Sequence, residues 1–217
     1  MNMIFSIVKR MIASNKVSFI ITAIVVLCAT TSKDSAIALS NGNYTWLLAV
    51  MTPFSFVFYA YPKLMHLGAS KKDYYIASIL SYGLLALFIS IVNTAIHLLI
   101  DPINNTQTVI NLMELCGWTQ NGMLVAFLQQ VLFLMLGMIF LHVLLSMQTH
   151  WYGWLTGGVL IAIICIFTPI EPLRHILVGF FKIIMFNSNA LLHMGVCVLL
   201  IGVLSMIDLV ILKRKTL

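Results

Sequence analysis

At 217 residues, 61% hydrophobic and 8% charged, with mean hydropathy +1.05, the chain has too little polar surface for a soluble domain of its size. That excludes a water-soluble enzyme and predicts an all-α integral membrane protein. The net charge of +6 does not imply nucleic acid, because the cations gather at the ends of apolar runs.

Residues 1–16 carry Met3, Ile4, Ile7, Val8, Met11 and Ile12 at helical spacing, with Lys9 and Arg10 opposite. This reads as an amphipathic helix lying in the membrane interface, with a frayed basic tail as the alternative. Six apolar stretches, of which the first (Val17–Thr31) and fifth (Trp154–Thr168) are short against the ~20 residues a ~30 Å core requires and extend into flanking polar residues, predict spans over about 17–37, 44–61, 74–100, 123–147, 153–168 and 190–212. No small-residue cleavage pattern follows the first, so it reads as a retained span and not a signal peptide. Its polar top, Thr30 to Ser35, reads as arrival at headgroups, or as a cavity lined by Thr30 and Thr31. Asn41-Gly42-Asn43 marks a turn, and Pro53 predicts a kink in the second span.

Between the second and third spans lies the longest polar and basic island of the chain, Pro62 to Tyr75. Pro62 suits the first turn of a short helix through Lys63, Leu64, Met65, His66 and Leu67, and Gly68 suits its C-terminal end. Ser70 and Asp73, flanking Lys71 and Lys72, form a Ser-x-x-Asp cap that starts the next helix. The island therefore predicts a short helix held crosswise at the membrane face and able to press on a soluble partner; an ordinary basic loop is the alternative.

The third span carries Ser78, Ser81, Tyr82, Gly83, Ser90, Asn93, Thr94 and His97, residues that let helices approach and bond. Asn93 and His97 share a face, read as helix–helix bonding. In the outer loop from Asp101 to Gly122, Thr108 to Cys116 is assigned a short interfacial helix. The fourth span holds Gln129, Gln130 and His142, and the fifth opens on Trp151, Tyr152 and Trp154. Pro169 and Pro172 then break the chain beside Glu171, Arg174 and His175. The apolar run from Ile176 to Phe186, interrupted by Lys182, is too short to span, which predicts a re-entrant hairpin or an amphipathic surface helix. In the last span Asp208 is expected to pair with Lys213-Arg214-Lys215.

With six spans, Lys9, Arg10, Lys16, Lys63, Lys71, Lys72, Lys213, Arg214 and Lys215 fall on one side, leaving Lys33, Arg174 and Lys182 for the other. The positive-inside rule puts that richer side, and both termini, in the cytoplasm of a cell membrane. Phosphate-loop, zinc-protease and serine-hydrolase motifs are missing, the histidines are scattered, and four cysteines form no CxxC pair; no catalytic residue, metal or cofactor is expected.

Leu67-Gly68-Ala69-Ser70-Lys71-Lys72-Asp73-Tyr74-Tyr75 resembles the Leu-Gly-x-Ser-Arg/Lys-x-x-Phe/Tyr entry to the third span in permease subunits of ABC-2-type ABC transporters, the small six-span kind of Gram-positive bacteria. The N-terminal helix, the hairpin before the sixth span and the basic tail are similar to that family too. The resemblance implies a pair of permease chains, identical or related, above a dimer of separate ATPase subunits that bind ATP and Mg. It assigns ATPase coupling to Lys63, Leu64, Met65, His66, Leu67, Gly68, Ser70, Lys71, Lys72 and Asp73, and an outer gate to the hairpin with Glu171, Arg174, His175 and Lys182. Few charges and many Phe, Met and Leu residues favour export of an amphipathic cargo, such as an antimicrobial or other membrane-active peptide, or a lipid. A non-transporting scaffold or sensor that binds a cytoplasmic partner is the reading from another class.

Overall fold

A backbone surrounded by hydrocarbon must satisfy its own N–H and C=O groups, and runs as apolar as those beginning at Met123 and Ala190 do so as helices. The computed structural model describes residues 2–29, 37–103, 108–187 and 189–214. In chain order these form α1 (Asn2–Ser14), α2 (Lys16–Cys28), β1 (Ile37–Leu39), a 3-10 turn (Asn41–Thr45), α3 (Trp46–Phe54), a π-helical segment (Ser55–Ala60) and α4 (Tyr61–His66). There follow α5 (Lys71–Leu99), β2 (Thr108–Ile110), α6 (Leu112–Leu115), α7 (Met123–Met147), α8 (Trp151–Phe167), α9 (Glu171–Ile184) and α10 (Ala190–Arg214).

Four helical runs are long and apolar enough to cross a membrane: Asn41–His66, Lys71–Ile103, Met123–Met147 and Ala190–Arg214. Two bent pairs, Met3–Ser14 with Lys16–Cys28 and Trp151–Phe167 with Glu171–Ile184, raise the number to as many as six. The architecture is therefore that of an all-α membrane protein. The expected cavity residues Thr30 and Thr31, the far end of the first predicted span, and Lys33, Asp34 and Lys215 lie outside the described residues.

The N-terminal helix departs from the expectation of a helix lying in headgroups. Ile7, Val8 and Met11 are buried in the main core, against α5 and the π-helical segment. Their apolar stripe has found a protein surface, which offers fixed packing that a headgroup layer does not. α1 and α2 meet at 48° around Asn15, whose fully buried amide donates to Thr52 Oγ1 at 2.8 Å. Just above, Phe19 packs edge-on to Phe88 at 5.8 Å. Phe88 lies about 25 Å along α5 from Lys71 at 1.5 Å per residue. The bend therefore sits well inside the bundle, and α1 and α2 together form one bent run.

Pro53 lacks an N–H and its ring crowds the preceding turn. The helix answers by widening into the π-helical segment two residues on, so the predicted kink takes the form of a local change of pitch. Phe56 O, within that segment, accepts both the Tyr61 N–H and the Tyr74 hydroxyl, the latter at 3.1 Å. Pro62 falls where the π turn returns to α-helix, so its missing N–H does not stop the run. This corrects the predicted crosswise helix: Tyr61–His66 is the last part of the second span, not a separate element.

The main core joins α1, the second span, α5, α7 and α10, with Met11, Phe56, Tyr74, Tyr82 and Met138 among its most buried side chains. A smaller core at the opposite end packs Met113, Cys116, Trp118 and Ala126 beneath Trp46 and Phe133. There β1 and β2 pair in parallel, Ala38 opposite Val109. Thr108–Ile110 is thus a strand, not part of the predicted helix; helix begins only at Leu112, after the Asn111–Glu114 capping box. A β-branched triplet with a strand partner to pair with has a better use for its backbone than one helical turn.

Candidate functional site

The end of the bundle that carries Lys63, Lys71, Lys72, Lys213 and Arg214 is built around the turn between α4 and α5. Gly68 takes φ +81°, a left-handed conformation that glycine enters without a Cβ penalty. Ala69 N–H then reaches back to Leu64 O at 3.0 Å and Gly68 N–H to Met65 O at 3.0 Å, the paired bonds of a Schellman motif. Two residues on, Ser70 Oγ accepts the Asp73 N–H at 3.1 Å and donates to Asp73 Oδ2 at 2.6 Å. The predicted stop and start signals are both present, and they fix the backbone of the turn from both sides.

Beneath the turn, Leu64 is buried, and Tyr61 and Tyr74 meet edge-on at 5.0 Å. Above it Lys63, His66, Leu67, Gly68, Ser70 and Lys72 are exposed, while Met65, Lys71 and Asp73 are half-buried. Lys63 Nζ lies 5.7 Å from the centre of the Tyr59 ring. Lys71 Nζ donates to Lys213 O at 3.2 Å, so a cation sits at the C-terminal carbonyls of α10 and ties it to the start of α5. The structure thus brings the predicted coupling residues into one stiff, basic projection with Leu64 as its buried root. Such a surface can dock an acidic or mixed partner. Among the described residues no group of three or more His, Cys, Asp or Glu side chains could hold a metal ion.

The second predicted site is at the other end. α9 turns through 119° from α8, and every α9 side chain is exposed or half-exposed. Glu171 and Arg174 form a surface pair at 3.9 Å, His175 is exposed nearby, and Lys182 lies about two turns farther on, beside Leu177, Val178, Phe181 and Phe186 in a shallow apolar hollow. The four polar residues therefore share a helix but not a cluster. Trp118 Nε1 donates to Met185 O at 2.9 Å and fastens the end of α9 to the outer core.

Two groupings were not read from the sequence. At the outer end, Asn111 Nδ2 donates to Asn93 Oδ1 at 3.0 Å, and His97 lies between Asp101, at 3.3 Å, and Glu114, at 3.8 Å. The helix–helix role expected of Asn93 and His97 is instead a bond from the third span to its own following loop. At the basic end, Asp208, the residue expected to pair with Lys213, Arg214 and Lys215, has an inward contact that the sequence did not announce. Its side chain is buried and faces His142 Nε2 at 3.6 Å, and His142 Nδ1 lies 2.6 Å from the Tyr82 hydroxyl. The positions 82, 142 and 208 are too far apart in sequence for spacing to bring them together; only the inward-facing periodicity of each helix carried a hint.

No family model, curated protein or solved structure matches the chain.

Proposed function

We propose that the chain is the membrane-spanning permease subunit of an ABC-2-type transporter, working as a pair of identical or related permease chains in a cell membrane, with both termini in the cytoplasm. The observation that carries this reading is the turn between α4 and α5. It is fixed by a Schellman motif and a serine cap, continuous with the second span, and presents Lys63, His66, Leu67 and Lys72 outward. A rigid projection joined to two spans transmits a push, whereas a loose loop would absorb it.

The ATP and Mg chemistry belongs to a dimer of separate ATPase subunits docked on this end. Closure of their nucleotide sites moves the second span and α5 together, and α1, packed against α5, follows. At the other end the α8–α9 hairpin closes the path between the two permease chains. The cargo is amphipathic or hydrophobic, an antimicrobial or other membrane-active peptide or a lipid, because the interior offers aromatic, Met and Leu side chains and few charges. The direction of transport is export.

Co-purification with a Walker-motif ATPase, with ATP hydrolysis recorded in lipid nanodiscs, tests the reading. Lys63→Glu, His66→Glu and Leu67→Glu change exposed positions and spare the buried Leu64. The expected result is retention of the ATPase by the wild type and its release, or unstimulated hydrolysis, in the variants. A wild type that holds no ATPase leaves the transporter without its motor and puts the scaffold reading first.

A further inference from the structure

A carboxylate inside a membrane bundle is costly unless polar groups meet it, and Asp208 meets a specific one. It is 3% exposed, yet it lies only about 7–8 Å along α10 from Lys213 at 1.5 Å per residue. Lys213 and Arg214 are exposed, and the carboxylate faces the imidazole of His142, Nε2 to Oδ1 at 3.6 Å. The other ring nitrogen is held by Tyr82 at 2.6 Å. A carboxylate on α10, an imidazole on α7 and a phenol on α5 thus form a chain of three proton-carrying groups across three spans.

The surroundings of this chain differ towards its two ends. Farther in, Leu85, Ala86, Ile89, Leu134 and Met138 are buried and separate it from the Asn93–Asn111 and His97–Asp101 groups of the opposite end. Towards the basic end stand the phenols that face it. Tyr74 lies 6.1 Å from the His142 ring, with Tyr61 packed against Tyr74; Tyr75, half-buried, donates to Ser205 O at 2.9 Å. From α8, Tyr152 stacks on His150 at the helix turn instead, and the cations of α1, Lys9 and Arg10, are exposed. The ionisable groups placed against His142 thus include Asp208, Tyr82 and Tyr74.

We propose that Tyr82, His142 and Asp208 are a buried proton-binding site that exchanges its proton with the aqueous phase at the basic end. In the empty state Asp208 is a carboxylate, His142 is neutral with its proton on Nε2, and the Tyr82 hydroxyl donates to Nδ1. A proton from hydronium at that end adds to Nδ1. The Tyr82 hydroxyl then turns, its oxygen accepts the new N–H, and the pair becomes an imidazolium beside a carboxylate. Uptake takes the cluster from one net negative charge to none and strengthens the hold of α7 on α10. Release turns the imidazolium back into a neutral imidazole and loosens that contact directly behind the turn. The inference does not depend on the transporter reading.

The full chain in lipid nanodiscs, labelled with ¹⁵N-histidine, tests this by solid-state NMR from about pH 5 to about pH 9, the range in which histidines change charge. Tyr82→Phe, which keeps the ring in place, identifies the His142 signals by the shift of Nδ1. His142 is expected to pass from neutral to imidazolium shifts within that range. Tyr82→Phe is expected to displace the midpoint by about one pH unit, the worth of one charge-assisted hydrogen bond, and Asp208→Asn to abolish the transition. A His142 that keeps one charge state throughout overturns the site, whether or not Asp208→Asn folds. A midpoint unmoved by Tyr82→Phe overturns the role of the phenol.

Discussion

The stiffness of the turn between α4 and α5 can be tested apart from any partner. Ser70→Ala removes the hydroxyl that accepts the Asp73 N–H and holds the Asp73 carboxylate, a loss of about 1 kcal/mol for a helix cap. Gly68→Ala places a Cβ in open space, so its cost is only that of holding alanine at φ +81°, about 1–2 kcal/mol. The two changes act on separate hydrogen bonds, those from Gly68 and Ala69 and those to Ser70. The double variant should therefore lose about 2–3 kcal/mol locally, roughly 30- to 160-fold in an opening equilibrium. Hydrogen exchange by mass spectrometry, on peptides covering Lys63 to Ile76 of the nanodisc-embedded chain, reads that equilibrium. Exchange should rise at Gly68, Ala69, Asp73 and Tyr74 and stay unchanged in the middle of α5. Gly83→Ala, in open space inside α5, is the control and should not raise exchange. A double variant that exchanges within twofold of wild type, or one in which all of α5 loosens equally, would show that the turn is not fixed by these two motifs.

Thermal stability in detergent, followed by size-exclusion chromatography, should separate the glycines. Gly153→Ala drives a Cβ into the Met147 carbonyl and the Gln148 nitrogen, both backbone, at an expected cost of about 2–4 kcal/mol, whereas Gly157→Ala and Gly158→Ala meet nothing and should be neutral or stabilising. Gly42→Ala overlaps Asn93 Oδ1 and should break the Asn93–Asn111 bonds, about 1–3 kcal/mol that a simultaneous Asn93→Ala partly restores. Trp118→Phe keeps a ring beside Trp46 but loses the bond to Met185 O, about 1 kcal/mol, and Trp118→Ala should cost about 3–5 kcal/mol. Burial pushes the Cys116 thiol up to about 12. In a background without the other three cysteines, its maleimide labelling at about pH 8 should then be about a thousandfold slower in the folded chain than in dodecyl sulfate. The sign for stability follows: above an ordinary thiol pKa of about 8.5 the unfolded chain releases this proton first, so stability declines as pH rises from there.

The sequence made legible whatever depends on neighbours along the chain. Gly68, Ser70 and Asp73 act within one turn, so their stop and cap signals appear in the structure as read. The same locality misled at Tyr61–His66: Pro62 looks like a helix start on its own terms, but the turn before it is already helical with a π register, and that register absorbs the missing N–H. At the N-terminus the amphipathic pattern of residues 2–14 was visible, yet a pattern says only that one side is apolar. Whether that side meets headgroups or α5 depends on the buried Asn15–Thr52 bond, a pairing of residues far apart in sequence.

Asp208 shows most sharply where local reasoning stops. From the chain alone, a carboxylate five positions before three cations pairs with them, the least costly arrangement in a helix whose end is wet. In the fold, Asp208, His142 and Tyr82 are drawn inward by three different helix faces, and Lys213 instead has its carbonyl engaged by Lys71. Exposed pairs contribute little, because water screens them and long side chains lose freedom. A buried pair costs desolvation, and removing one partner is strongly destabilising. A cluster so placed is a poor source of stability and a sensitive one: its energy depends on a single proton, and it sits where α5, α7 and α10 meet behind the turn. The location therefore makes the state of that proton consequential for the basic end, where a basic rim pair would have left α10 indifferent to it.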